Sequence, residues 1–335
     1  VSSSSILLLQ FAACALIILI GGYALTRFGQ AISAATGIGS SWIGLALLAS
    51  VTSLPELASG VSAVTLAHAP DIAVGDVLGS CVFNLVLLAI VDAVHRPASL
   101  YSRAGTSHLL AAGFGVMLLA FVAAMLVLEQ LAPQPALFHI GAYMPAIVLG
   151  YAVALRTSFG HEREQPVSSQ PPVGDVMTLR RALIGYVAAA SVVVAAGVWL
   201  PNVGVALARS LGWHDSFVGT LFVAAATSLP EAAVSLAALR LGAIDMAVSN
   251  LLGSNLFNVL ILVVDDLAYT RGPLLAAVAP VHVVSALTAL VMTGLVIVAL
   301  VVRPRSHLLG VMGWVSWLLV VLYLVNAWLL FTHGG

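Results

Sequence analysis

Residues 221–239 read LFVAAATSLPEAAVSLAAL, and at their centre Thr227-Ser228-Leu229-Pro230-Glu231 sets a carboxylate beside a proline in the middle of an apolar run. A charge at that depth is costly in a bilayer, so it marks a functional site by default. The same five residues stand earlier as Thr52-Ser53-Leu54-Pro55-Glu56, inside LALLASVTSLPELASGVSAV at 45–64. One copy therefore falls in each half of the chain.

Each copy is followed by a second repeated stretch, APDIAVGDVLGSCVFNLVLL at 69–88 and AIDMAVSNLLGSNLFNVLIL at 243–262. Asp71 matches Asp245, Gly79 matches Gly253, Ser80 matches Ser254 and Asn84 matches Asn258, all at one constant offset. That offset is slightly smaller than the one between the two glutamates. The connection from TSLPE to this stretch is therefore shorter in the second copy.

The repeats sit in a chain of 335 residues that is 61% hydrophobic and 7% charged, with a mean hydropathy of +1.11. So few charges cannot cover a soluble protein of this length. Many windows exceed the roughly 18 apolar residues that a membrane-spanning helix needs. The expected fold class is an all-α polytopic membrane protein, with the lipid bilayer as its partner. Ten spans are predicted, at 6–26, 41–67, 72–94, 106–128, 136–156, 181–209, 216–240, 246–268, 274–302 and 308–331. The N-terminal VSSSSILLLQ has no charged leader region, so the first run is expected to be a retained helix. Cys14 and Cys81 both lie in apolar runs and read as packing residues. No basic, aromatic-rich patch points to nucleic acid.

The polar segment between the fifth and sixth spans, RTSFGHEREQPVSSQPPVGDVMTLRR, has the composition of a linker. Arginine counts orient the chain. With the N-terminus outside, inside connections hold Arg27, Arg96, Arg103, Arg156, Arg163, Arg180, Arg181, Arg240, Arg303 and Arg305, against Arg209 and Arg271 outside. Both termini are expected outside the cell membrane and the linker in the cytoplasm. The expected units are a five-helix repeat at 1–156, a linker at 157–180 and a second five-helix repeat at 181–335. Five is odd, so the second unit enters from the opposite side. That gives two inverted-topology repeats, a transporter architecture with its site between them.

On a helix, Thr52 and Glu56 share one face, as do Thr227 and Glu231. Each proline lacks an N–H, so the helix kinks there and nearby carbonyls are freed. Hydroxyl, carboxylate and carbonyl together make an all-oxygen set that suits a hard cation. Asp76, Ser80 and Asn84 add an oxygen stripe at i, i+4, i+8, which Asn250, Ser254 and Asn258 repeat. Gly79 and Gly253 allow close helix approach. No nitrogen or sulfur cluster suggests zinc or copper. A single proline, serine or Gly-Ser-x-x-x-Asn in a membrane helix is more often a kink or a packing contact. Two copies in inverted register, each with a buried glutamate, tip the reading to a cation site. Asp92, Asp265 and Asp266 fall near span ends and are expected to be solvated or interfacial, and His68, His139 and His214 to lie by loops.

These motifs, TSLPE at 52–56 and 227–231 with GSCVFN at 79–84 and GSNLFN at 253–258, resemble the cation/calcium exchanger superfamily and its prokaryotic sodium/calcium exchanger branch. The resemblance implies a ten-helix fold of two inverted repeats, with the first and sixth spans sliding as a gate. It implies calcium held by Glu56 and Glu231 with Thr52 and Thr227. It implies sodium held by the same glutamates with Ser53, Ser228, Ser80, Ser254, Asn84 and carbonyls such as Ala49 and Ala224. The chain departs from the common pattern in three places. Asn258 stands where many prokaryotic relatives carry Asp, Asp76 stands where Asn is more common, and Cys81 replaces the Asn found at Asn255. Asp76 is thus expected to be an unpaired modulator of the site.

The expected function is sodium/calcium antiport by alternating access, with no cofactor, calcium and sodium as the transported ions, and no oligomer required. The alternative is proton/calcium exchange on the same fold. An enzyme is not expected, since HExxH and G-x-S-x-G motifs are missing from the sequence. A passive channel remains a distinct class that flux without an opposing gradient would reveal.

Overall fold

The structure is a computed structural model of the chain, describing residues 3–95, 98–164, 177–210, 223–308 and 310–333. Arg96, His214, residues 165–176 of the expected linker and the start of the span expected at 216–240 lie outside the described residues. The chain is a membrane protein: among the described residues, eight helical runs, the interrupted one at Ser40–Thr65 included, are long and apolar enough to cross a bilayer.

Helix α1 spans Ser3–Thr36. The second expected span is not one helix. It runs as α2 (Ser40–Trp42), a π-helical segment (Ile43–Leu48), α3 (Ala49–Thr52) and α4 (Leu54–Thr65). Helices α5 (Pro70–Val94) and α6 (His108–Leu131) follow. The expected span at 136–156 opens differently. A small antiparallel hairpin pairs Ala136–Leu137 with Ile140–Gly141 there. Helix α7 begins only at Met144 and runs past the expected linker boundary at 156, to Glu164. Beyond lie α8 (Leu179–Ser210), α9 (Val223–Thr227), α10 (Leu229–Arg240), α11 (Ile244–Ala268), α12 (His282–Val302) and α13 (Trp314–His333).

Burial separates centre from rim. The most apolar windows of α5 and α11 are 72% and 83% buried, whereas that of α1 is 17% buried. Helix α1 packs lengthwise on α8 and also crosses α10. Gly22 lets it lie on Ala233 and Val234, where a Cβ would come within 2.9 Å of the Ala233 side chain. The rim helices thus meet the centre through small residues, as membrane helices do.

Polar contacts tie the two halves together in matched pairs. His108 Nε2 lies 2.8 Å from Asp245 Oδ1, and His282 Nε2 lies 3.0 Å from Asp71 Oδ1. The same carboxylate oxygens accept the Gly105 and Ala279 backbone N–H groups, each at 2.7 Å. Asp92 and Asp266 overturn the expectation of solvated span ends, because both are fully buried. The chain folds back after α5 and after α11 and brings backbone donors to them. Asp92 accepts Leu100 N–H at 2.6 Å and Gly313 N–H at 2.7 Å. Asp266 accepts Leu274 N–H at 2.6 Å and Gly141 N–H at 3.0 Å. Such partners offset the cost of burying these two carboxylates. Asp265 is also fully buried rather than solvated, but neither of its oxygens has a hydrogen-bond partner among the described residues.

Candidate cation site

The expected proline kinks are full breaks. Pro55 and Pro230 each sit at the start of a new helix, where a missing N–H costs nothing. Ser53 (φ −88°, ψ 7°) and Ser228 (φ −81°, ψ 7°) form the breaks with nearly the same backbone conformation. Glu56 and Glu231 therefore lie in the first turns of α4 and α10. Unpaired N–H groups and the helix dipole favour an anion there. The carbonyls of Ala49 and Ala224 stand just before the breaks. Ala49 O accepts the Ser53 N–H at 3.0 Å and Thr52 Oγ1 at 3.3 Å. Ala224 O accepts the Ser228 N–H at 3.1 Å and Thr227 Oγ1 at 3.1 Å.

The two breaks meet at the centre of the protein. Ser53 Oγ donates to Glu231 Oε1 at 3.0 Å, and Ser228 Oγ donates to Glu56 Oε1 at 3.3 Å. Ser254 Oγ donates to Glu231 Oε1 at 3.3 Å and lies 3.4 Å from Thr52 Oγ1. On the other side Thr227 Oγ1 donates to Asp76 Oδ1 at 3.2 Å, so Asp76 takes a place that no acid occupies in the second repeat. Thr52, Ser53, Glu56, Asp76, Ser80, Thr227, Ser228, Glu231 and Ser254 are all fully buried. Glu56 Oε2, Glu231 Oε2, Asp76 Oδ2 and Ser80 Oγ have no hydrogen-bond partner among the described residues. Unpartnered buried carboxylate oxygens on residues that also meet hydroxyls have the chemistry that suits a hard cation.

Two expected members, Asn84 and Asn258, make no hydrogen bond to the glutamates among the described residues. Asn84 Nδ2 donates to Asn255 Oδ1 at 3.0 Å, and Asn255 Nδ2 donates to the Cys81 carbonyl at 3.1 Å. Asn258 is buried beside the Cys81 thiol, and its Oδ1 is without a partner among the described residues. Cys81 and Asn255, which occupy equivalent places in the two repeats, thus touch each other where the halves meet. Close approach of the helices is real at Gly253, where a Cβ would come within 2.9 Å of the Ala49 side chain.

Sequence reasoning missed the His108–Asp245 and His282–Asp71 pairs and the roles of Asp92 and Asp266. The signal is present in the chain, because His108 and His282, like Asp92 and Asp266, stand at the same offset as Ser80 and Ser254. The pairs fix the N-terminal ends of α5 and α11 in matched positions on either side of the site.

Comparison with known proteins agrees with this geometry. The family described as sodium/calcium exchanger protein matches residues 6–153 and 181–332, and the chain belongs to that family. Inner membrane protein YrbG of Escherichia coli is 30% identical over 257 residues, covering 70% of this chain and 74% of that protein. A membrane protein of Methanocaldococcus jannaschii is 27% identical over 217 residues, covering 65% of this chain and 67% of its own length. Among solved structures, the sodium-calcium exchanger NCX_Mj superposes with a TM-score of 0.72 at 20% identity, covering 96% of this chain and 97% of that one. The fold is that of this exchanger, and the chain is a transporter rather than an enzyme.

Proposed function

We propose that this member of the sodium/calcium exchanger family carries calcium out against sodium by alternating access. The observation that carries the reading is the reciprocal pair of bonds, Ser53 to Glu231 and Ser228 to Glu56. Each half supplies a glutamate that the other half orients. A single divalent ion between them offsets two negative charges. When it leaves, the hydroxyls of Ser53, Ser228, Thr52, Thr227, Ser80 and Ser254 and the Ala49 and Ala224 carbonyls suit singly charged sodium ions. The same set would be excessive for protons, which need only titrating carboxyls. The sodium-calcium exchanger among the structural matches supports this choice.

The repeat arrangement supports ten spans in two inverted halves, 1–156 and 181–335, joined by a cytoplasmic segment at 157–180, with both termini outside. Helices α1 and α8, which pack on each other along the rim, are the moving pair in this reading. Their small-residue contacts with the centre suit sliding. The unit needs no second copy, because both glutamates belong to one chain.

Calcium uptake into sodium-loaded proteoliposomes, with the proton gradient collapsed, tests the proposal. Uptake that follows the sodium gradient supports it. Uptake that follows an imposed proton gradient and ignores sodium would establish proton/calcium exchange instead. Calcium flux without any opposing cation would make the protein a channel.

A further inference from the structure

Helix α7 runs on to Glu164, past the span boundary expected at 156, and its last turns reach the start of the second span. The Glu162 side chain lies against Gly39. A Cβ on Gly39 would meet Glu162 Cδ at 2.5 Å and Cγ at 2.6 Å, so any larger residue there would push Glu162 away. Gly39 also precedes the helical stretch that runs from Ser40 through the π-helical segment to Thr52, and it offers no side chain to the first N–H groups. Glu162 brings a carboxylate to that end from another helix, with the Ser41 N–H and hydroxyl in its reach.

Two further contacts hold the same spot. The rings of Trp42 and Phe159 meet edge to face at 5.1 Å. Ser107 Oγ donates to Ser41 Oγ at 3.3 Å, and the next residue, His108, is held by Asp245 at 2.8 Å. The start of the second span is thus fixed to α6 and α7.

Helix α1 ends beside this point. Only Gly37 and Ile38 separate its last residue, Thr36, from Gly39. Gly37 has φ +71°, and no atom lies within 4 Å of where its Cβ would be. The chain turns there in the left-handed conformation that suits glycine. A loose joint therefore stands next to a fixed one. The second repeat carries no such acid: at the offset that relates Gly141 to Gly313, Glu162 stands opposite Gly334.

We propose that Glu162 is a positioning residue for transport. It ties the start of the second span to α7, so that α1 shifts about Gly37 without dragging the span that carries Thr52, Ser53 and Glu56. The inference rests on α1 as a moving helix of a calcium exchanger.

Calcium uptake into sodium-loaded proteoliposomes, beside calcium binding by titration calorimetry, tests it on purified variants. In Glu162→Ala the maximal rate should fall by about fivefold or more. Calcium affinity should be unchanged, since about 20 Å of helix separates Gly39 from Glu56. Glu162→Gln, which keeps the size and loses the charge, should act in the same direction and serves if Glu162→Ala does not fold. Adding Gly39→Asp to Glu162→Ala separates tying from capping. Gly39 has φ −60°, which any residue adopts, and the aspartate caps the helix from within its own span. This double variant should regain thermal stability and stay slow. Recovery of the rate as well would show that Glu162 only caps a helix, and overturns the proposal. So does a full rate in both single variants, or a loss of calcium affinity as large as the loss of rate. If wild-type uptake ignores sodium, the exchanger reading fails. Amide hydrogen exchange at residues 40–43 then reports on the tie without transport: it should quicken in Glu162→Ala, and unchanged exchange overturns the proposal.

Discussion

Ser53 of the first repeat donates to Glu231 of the second at 3.0 Å, while Ser228 of the second donates to Glu56 of the first at 3.3 Å. The candidate site thus draws hydrogen bonds from both halves. Any movement of one half relative to the other changes the ligand set around both glutamates. That is the physical coupling an alternating-access exchanger requires.

Glu56→Gln and Glu231→Gln should each reduce calcium transport by about 100-fold or more, equivalent to about 3 kcal/mol. Glutamine keeps the shape and loses the charge that faces the cation. Uptake assays on purified, monodisperse variants check this. Normal transport by either one would refute the site.

Asp92→Ala should lower thermal stability by about 3 kcal/mol or more, because it strands four donors: the backbone N–H groups of Leu100 and Gly313 and the hydroxyls of Ser99 and Ser316. Asp266→Ala should act in the same direction. Unfolding in detergent measures both. Residual folded protein should keep its preference for calcium, since neither residue reaches the glutamates.

Gly253→Ala should cost about 1–3 kcal/mol by overpacking. The new methyl would come within 2.8 Å of Leu45 Cα and 2.9 Å of the Ala49 side chain. Displacing Ala49 moves the carbonyl behind Thr52, so calcium affinity should fall as well. Calcium binding by titration calorimetry beside a melting curve separates the two effects. A melting loss with unchanged affinity would remove Ala49 from the site.

A double-mutant cycle on His108→Ala and Asp245→Ala should give a coupling of about 1 kcal/mol. The same cycle on His282→Ala and Asp71→Ala should give less. Asp71 is 53% exposed against 28% for Asp245, so solvent screens the outer pair more. Equal couplings would argue against that reason.

Protease added to the cytoplasmic side of vesicles should cut within residues 157–180, and protease added from the other side should not. Shortening this segment should leave calcium binding unchanged. Cleavage of intact cells from outside would invert the proposed topology.

Much of this was legible in one dimension. Apolar runs of membrane length declared the class, because a bilayer demands them. Two TSLPE copies and two GSxxxN copies located Thr52, Ser53, Glu56, Ser80 and their partners, because an acid buried twice in matching surroundings calls for a cation. Tertiary structure alone decided how those residues meet. Proline chemistry predicted a kink, yet Ser53 and Ser228 end their helices outright, which places the glutamates at helix N-termini. Whether Asp92 and Asp266 face water depends on segments that fold back over the helix ends, and no local pattern encodes that return. The histidine–aspartate pairs join residues more than a hundred positions apart. Spacing along the chain names candidates for a site, but burial and partners arise only when distant segments pack.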